Sequence, residues 1–207
     1  MQPPRSDSPD VTNASAREKT GKTLKQWFAH LDELGGVAKG RRELVNQLHA
    51  GAKLNEWWAT TLVVEYERAK GVTEKDGKPR GYSICSTKTI AAPLERVFAA
   101  FGTAKDLDRW LGARTKVEFE DGGTLQNGDG DRATFQRIRA NKDLCLAWEH
   151  AQRARGSQVE VLFAPKGAEK IGITLNHTRI QERKDADELR AGWSAAFEQL
   201  KQLLEGE

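Results

Sequence analysis

Only two cysteines, Cys85 and Cys145, occur in the 207 residues, too few for a disulfide framework. No apolar stretch follows the N-terminal Met-Gln-Pro-Pro-Arg-Ser-Asp, so no secretory signal is expected there. The two thiols are therefore expected to be reduced in a cytoplasmic protein, each as a small buried hydrophobe. No apolar run approaches the ~20 residues that a membrane span needs. Charge of one sign is scarce too: 33 basic side chains face 30 acidic ones, a net of +3. Residues 1–80 carry the whole excess, with 14 basic and 11 acidic. Such a balance excludes the strongly basic class, and nucleic acid is not an expected partner. Lys39, Arg41, Arg42 and Lys53 near Trp57 and Trp58 make at most a patch, diluted by Glu43, Glu56, Glu65 and Glu67.

Chemical motifs are equally sparse. The four histidines and two cysteines show neither Cys-x-x-Cys nor His-Glu-x-x-His spacing, so zinc is not expected. There is no Gly-x-Ser-x-Gly nucleophile elbow. Gly21-Lys22-Thr23 resembles the end of a phosphate loop, but residue 16 is Ala where that loop needs glycine, and no strand precedes it. A helix cap is the better reading. Asp129-Gly-Asp131 lacks the closing glutamate of a calcium loop, because position 140 is Ala, so it reads as a turn. No metal and no cofactor are expected, and no internal repeat is visible.

What is present falls into two halves. Residues 1–19, rich in Pro, Ser, Asp and Asn, are expected to lack order. Residues 20–71 read as a small three-helix domain. Thr23 and Gln26 form a capping-box pattern, and Leu24, Trp27, Phe28 and Leu31 follow at i, i+3, i+4, i+7. A second helix runs from Arg41 to His49, with Leu44, Val45 and Leu48 inward. A third starts at Asn55, a good cap, and passes Trp58, Leu62 and Tyr66. Such a unit is marginal alone and is expected to dock on the rest of the chain or to serve as a partner surface. Residues 72–81, polar and punctuated by Gly and Pro, read as a linker.

From residue 82 the pattern changes. Ser83–Ile90 reads as a strand. Pro93 opens a short helix with Leu94, Val97, Phe98 and Phe101 on one face, and Leu107, Trp110 and Leu111 mark a second. Thr115–Glu120 alternates as a half-buried strand with Val117 and Phe119 inward. Asp121-Gly-Gly and Asn127-Gly-Asp-Gly read as hairpin turns. Further strands follow at Ala133–Arg139, Asp143–Glu149, Gln158–Ala164 and Ile171–His177. Leu189, Trp193, Phe197, Leu200 and Leu204 then recur at helical spacing after an Asp185/Glu188 capping-box pattern. A helix of about 18 residues is roughly 27 Å long, enough to cross a sheet. This order predicts an α+β fold in which one long C-terminal helix covers an antiparallel sheet.

Pro93, Val97-Phe98, Leu107, Trp110, Trp148-Glu149, Leu175, His177, Gly192-Trp193, Phe197 and Leu200 resemble the START-like, helix-grip (SRPBCC) superfamily. More narrowly they resemble the bacterial homologues of the heat-shock-protein-90 ATPase activator, over residues 82–205. Thr20 through Phe28 and Leu54 through Ala59 resemble a small bacterial helical domain of uncharacterised function that often precedes a helix-grip domain. The resemblance implies a curved sheet of the seven-stranded type with a pocket between sheet and long helix. Family members bind lipids, hormones, polyketides or other apolar molecules, and a few are cyclases or hydrolases. The eukaryotic activator carries an additional chaperone-binding domain with no counterpart in this sequence, so chaperone activation does not transfer with the resemblance.

Phe98, Trp110, Phe119, Trp148, Phe163, Leu175, His177, Trp193 and Phe197 are the expected lining of that pocket, suited to a small apolar molecule with one polar end. Plain core filling is the competing reading. His177 is the one ionisable group on an inward face. It is either an acid/base near neutral pH or a hydrogen-bonded structural histidine, and no Asp or Glu at informative spacing supports a diad. The sequence thus favours non-catalytic ligand binding over an enzyme in the same pocket or a co-chaperone-like partner protein.

Overall fold

The computed structural model describes residues 7–150, 153–167 and 169–206. The chain divides into two compact units between Tyr82 and Ser83. The N-terminal unit holds α1 (Asn13–Thr20), α2 (Leu24–Glu33), α3 (Arg41–Ala50) and α4 (Glu56–Ala69), with a 3-10 turn over Gly36–Lys39. The Thr23–Gln26 capping box forms, and the Asn55 side chain accepts from the Trp58 N–H. Trp27, Leu31, Leu44, Leu48, Trp58, Leu62 and Tyr66 make one buried core, so each helix buries the stripe its spacing marks.

Two features depart from the sequence reading. Order begins at α1, inside the segment expected to be disordered; of that segment, residues 1–6 lie outside the described residues. Thr12 and Ser15 cap α1 reciprocally, Ala16 is buried, and Trp27 Nε1 donates to Thr20 Oγ1 at 2.7 Å. Composition alone misses a cap and a tertiary anchor of this kind. Residues 72–81, read as a linker, belong to the N-terminal unit. Thr73 bridges to Pro79, and the buried carboxylate of Glu67 receives both Arg41 (2.7 Å) and Arg80 (3.2 Å). Arg41 also donates to the Gly81 carbonyl at 2.9 Å.

The C-terminal unit is a seven-stranded antiparallel sheet in the order β1-β7-β6-β5-β4-β3-β2. The strands are β1 (Tyr82–Ile90), β2 (Lys116–Val117), β3 (Thr124–Gln126), β4 (Asp131–Arg139), β5 (Asp143–His150), β6 (Arg153–Gly167) and β7 (Lys170–Ile180). Short helices α5 (Leu94–Ala99) and α6 (Ala104–Trp110) follow β1, and α7 (Arg183–Glu205) closes the chain. Register places Phe135 opposite Leu146, Leu146 opposite Val159 and Val159 opposite His177, so one tier of inward side chains crosses four strands. Against this face α7 buries Leu189, Trp193, Phe197 and Leu200, and its 23 residues make it about 35 Å long.

The strand expected at Thr115–Glu120 keeps only two residues. Glu120 and Gly123 donate back to Glu118 and Glu120, so the turn begins before Phe119, and Gly122 takes a positive φ of 84° that suits glycine. The expected Asp185/Glu188 cap does not form either. Glu182 caps α7 without a side-chain bond, while Asp185 accepts from the Ala154 N–H at 2.9 Å and Glu188 pairs with Arg153 at 2.7 Å. Both carboxylates tie the start of α7 to the start of β6, and burial raises the Asp185 pKa above its ordinary value. Cys145 is buried as expected, but Cys85 is exposed.

Removing the charge that holds Arg41 and Arg80 should cost the N-terminal unit about 1–3 kcal/mol. Glu67→Gln is expected to accelerate amide hydrogen exchange throughout α4 and residues 72–81. Unchanged exchange there would show that the buried carboxylate does not organise this unit.

Candidate functional site

The inner face of the sheet, α5–α6 and α7 enclose an aromatic cluster whose rings touch in sequence. Phe135 meets Phe119 (5.3 Å between centroids), Phe119 meets Phe98 (5.7 Å), and Phe98 meets Phe163 (5.3 Å). Phe163 continues to Phe101 (5.2 Å), Phe101 to Trp110 (4.8 Å) and Trp110 to Phe197 (6.4 Å). Phe197 meets Trp193 (6.2 Å), which meets both Trp148 (5.2 Å) and His177 (6.3 Å). Most of these pairs are edge-on, the arrangement that the ring quadrupole favours.

Within the cluster lies a cavity of about 20 Å³. Phe101, Leu107, Trp110 and Leu111 bound it from the α5–α6 side, Trp193 from α7, and Leu125, Phe135, Leu144, Leu146, Trp148, Val159 and Val161 from the sheet. One water needs roughly 10–15 Å³, whereas a small-molecule site spans roughly 300–1,000 Å³. Of the nine residues singled out from sequence, Trp110, Trp148 and Trp193 border this space. Phe98, Phe119, Phe163, Phe197 and His177 join it through ring contacts, and Leu175 is buried on β7 without reaching it. Phe119, expected to point fully inward, is half-buried because β2 ends before it. Period-two alternation already marked Leu144, Leu146, Val159 and Val161 as inward. Phe101 was read only as part of a helical face, and Phe135 only lay within an expected strand, since their meeting at the cavity depends on how distant parts of the chain fold over one another.

His177 is fully buried. Trp193 Nε1 lies 3.1 Å from its Nδ1, and Ser157 Oγ lies 2.8 Å from its Nε2. An indole N–H only donates, so Nδ1 accepts and the imidazole proton sits on Nε2. That proton goes to Ser157 Oγ, whose own hydrogen goes to the Trp148 carbonyl at 3.0 Å. Both ring nitrogens are thereby committed, and burial pushes the pKa down to about 3. The ring is a neutral bridge between β7, β6 and α7. The expectation of an acid/base near neutral pH does not survive this geometry: the group neither reaches the cavity nor titrates there.

The remaining motifs resolve as structure. Gly21 is the left-handed C-cap of α1, Thr23 caps α2, and Lys22 Nζ stands 4.7 Å over the Trp27 ring. Asn127 braces the Asp129–Asp131 turn by accepting from both backbone N–H groups. No group of side chains able to hold a metal occurs among the described residues. Arg41 is committed to Glu67, Trp58 is buried, and Trp57 packs edge-on against it at 4.8 Å, so the basic aromatic patch is not assembled. Among the described residues no helix is long and apolar enough to cross a membrane.

A histidine held neutral makes stability depend on pH in one direction. Below its ordinary value of 6.5 the unfolded chain takes up a proton that the folded chain refuses. The folded state therefore has full stability above pH 6.5 and loses it as pH falls towards 3, by about 1.4 kcal/mol per unit from this group. Urea titrations are expected to show the wild type losing about 2 kcal/mol more stability than His177→Leu between pH 7 and 5. Equal slopes would mean the folded histidine carries a proton.

No curated protein matches the chain. Its fold is shared with an HSP90 activator from Plasmodium falciparum at TM-score 0.55 and 21% identity, over 61% of this chain and 97% of that one. The Aha1 dimer from Colwellia psychrerythraea aligns at TM-score 0.53 and 21% identity, over 60% and 96% of the two chains. CalU16 from Micromonospora echinospora aligns at TM-score 0.56 and 20% identity, over 66% and 71%. At these identities the likeness speaks for the helix-grip fold. The model of one sequence family, described as Activator of Hsp90 ATPase homolog 1-like protein, matches residues 91–205, more than half of the chain, and the chain belongs to that family.

Proposed function

We infer that the C-terminal unit binds a small apolar or amphipathic molecule between its sheet and α7, without catalysing its conversion. The observation that carries this reading is the apolar cavity among Trp110, Trp148, Trp193 and the inward sheet residues. At about 20 Å³ it is a nucleus for a site rather than a finished one. A ligand must displace a wall, and α6 is the wall best suited to move. It has seven residues, too few to be a stable helix without its packing, and it supplies Leu107 and Trp110 to the lining. No charged side chain borders the cavity, and the one buried histidine is engaged on both sides, which leaves no acid or base for chemistry. The reading places the protein in the cytoplasm and leaves the N-terminal helical unit as a partner surface.

One observation favours a second reading. A core this full is also what a co-chaperone-like, partner-binding protein with a closed interior would have. The solved relative from Plasmodium falciparum is described as an HSP90 activator, which makes that chaperone the first partner to test.

Native mass spectrometry of protein purified gently from its own host is expected to show an added mass that leaves on denaturation and is absent from Trp193→Ala. That variant should cost about 3–5 kcal/mol, so its folding is to be verified alongside by the cooperativity of its urea unfolding. A clean apo mass, with stimulation of HSP90 ATPase by the same preparation, would transfer the assignment to the second reading.

A further inference from the structure

Three indoles border the cavity, and their N–H groups differ in what they meet. Trp110 Nε1 donates to the Ala100 carbonyl at 3.0 Å and Trp193 Nε1 to His177 at 3.1 Å. Trp148 is 2% exposed, yet its Nε1 has no acceptor among the described residues. A buried donor in apolar surroundings forfeits its hydration and gains nothing in return. A single water does not settle the account, because a buried water needs two to four polar partners. Every other side chain around the cavity is aliphatic or aromatic, or has its polar atom engaged elsewhere.

We propose that the Trp148 indole N–H is the recognition group of this cavity and selects a neutral, ring-bearing apolar ligand that presents one hydrogen-bond acceptor, such as a ketone or ether oxygen. The inference rests on the ligand-binding reading above and narrows it to a chemical class. Phe101, Trp110, Phe135 and Trp193 supply flat apolar faces for a ring. A carboxylate is rejected, because no cationic side chain borders the space to compensate its charge. A pure hydrocarbon leaves the N–H unpaired. The position of Trp148 is held firmly: its carbonyl receives Ser157, and its ring packs against both Trp193 and His177, so the ring that carries the donor is fixed.

The test uses the full chain, labelled with nitrogen-15, whose six tryptophans give one indole resonance each. 1-Tetralone and tetralin share a ring skeleton and differ in the acceptor, and 2-naphthoate supplies the charge. Tetralone is expected to bind about tenfold more tightly than tetralin or better, with naphthoate far weaker, as in a site built to hydrogen-bond its ligand. Its binding should move the Trp148 indole proton downfield while tetralin leaves it near its free position. In Trp148→Phe the preference for the ketone should disappear, and if that variant does not fold, the wild-type ligand pair decides alone. Equal affinity for ketone and hydrocarbon, or a downfield shift at another indole, overturns the proposal while leaving the cavity a ligand site. Binding of neither overturns the cavity reading and this inference with it.

Discussion

The hydrogen bond from Trp193 to His177 is where the long helix and the sheet become one body. Hydrophobic stripes bring α7 to the sheet but fix its position along its axis only loosely, since a slide of one turn exchanges one large apolar side chain for the next. A donor that must meet a buried ring nitrogen at one point removes that freedom. The bond continues through Ser157 to the carbonyl of Trp148, so α7, β7, β6 and β5 share one proton-ordered chain. Each such bond is worth only about 1 kcal/mol net when made, but a broken one leaves a buried polar group and costs up to about 3. Register is protected more by the penalty for error than by the reward for fit.

Packing around this relay follows from it. With Trp193 set, Trp148 and Phe197 are placed by ring contact, and from Phe197 the contacts run on through Trp110 and Phe101 to Phe163 on β6. The cavity lies beside the relay rather than on it. A core assembled from large flat rings leaves a gap where their edges fail to tile, whereas branched aliphatic side chains would fill it. The same side chains that hold the fold together thus define the shape that a guest would meet in this cavity.

Much of the fold was legible because its strongest signals are local. The stripe from Leu189 to Leu204 needs only a helix to make sense, and the alternation of Leu144, Leu146 and Trp148 needs only a strand. The Thr23–Gln26 cap was readable for the same reason. Features decided by partners far along the chain were not. Asp185 and Glu188 have the spacing of a cap, yet they face Ala154 and Arg153, some thirty residues earlier. The N-terminal helix depends on Trp27 reaching back to Thr20. At the site, inwardness was legible and membership was not: Leu175 and Phe163 point into the core as their period demands, but whether an inward residue meets empty space depends on the residues opposite it. The role of His177 turned on two neighbours, Ser157 and Trp193, that no spacing rule connects to it.

The closeness of Trp148 and Trp193 has an optical consequence. Their rings lie 5.2 Å apart with planes inclined at 59°, near enough for the excited states of the two indoles to mix and skewed enough for the mixed states to be chiral. Such a pair adds a signed doublet to the circular dichroism spectrum, overlapping the bands from which helix content is read. The spectrum of this protein therefore reports the seating of α7 on the sheet as well as the amount of helix, and a change that loosens the grip without unwinding a single turn would still be visible in it.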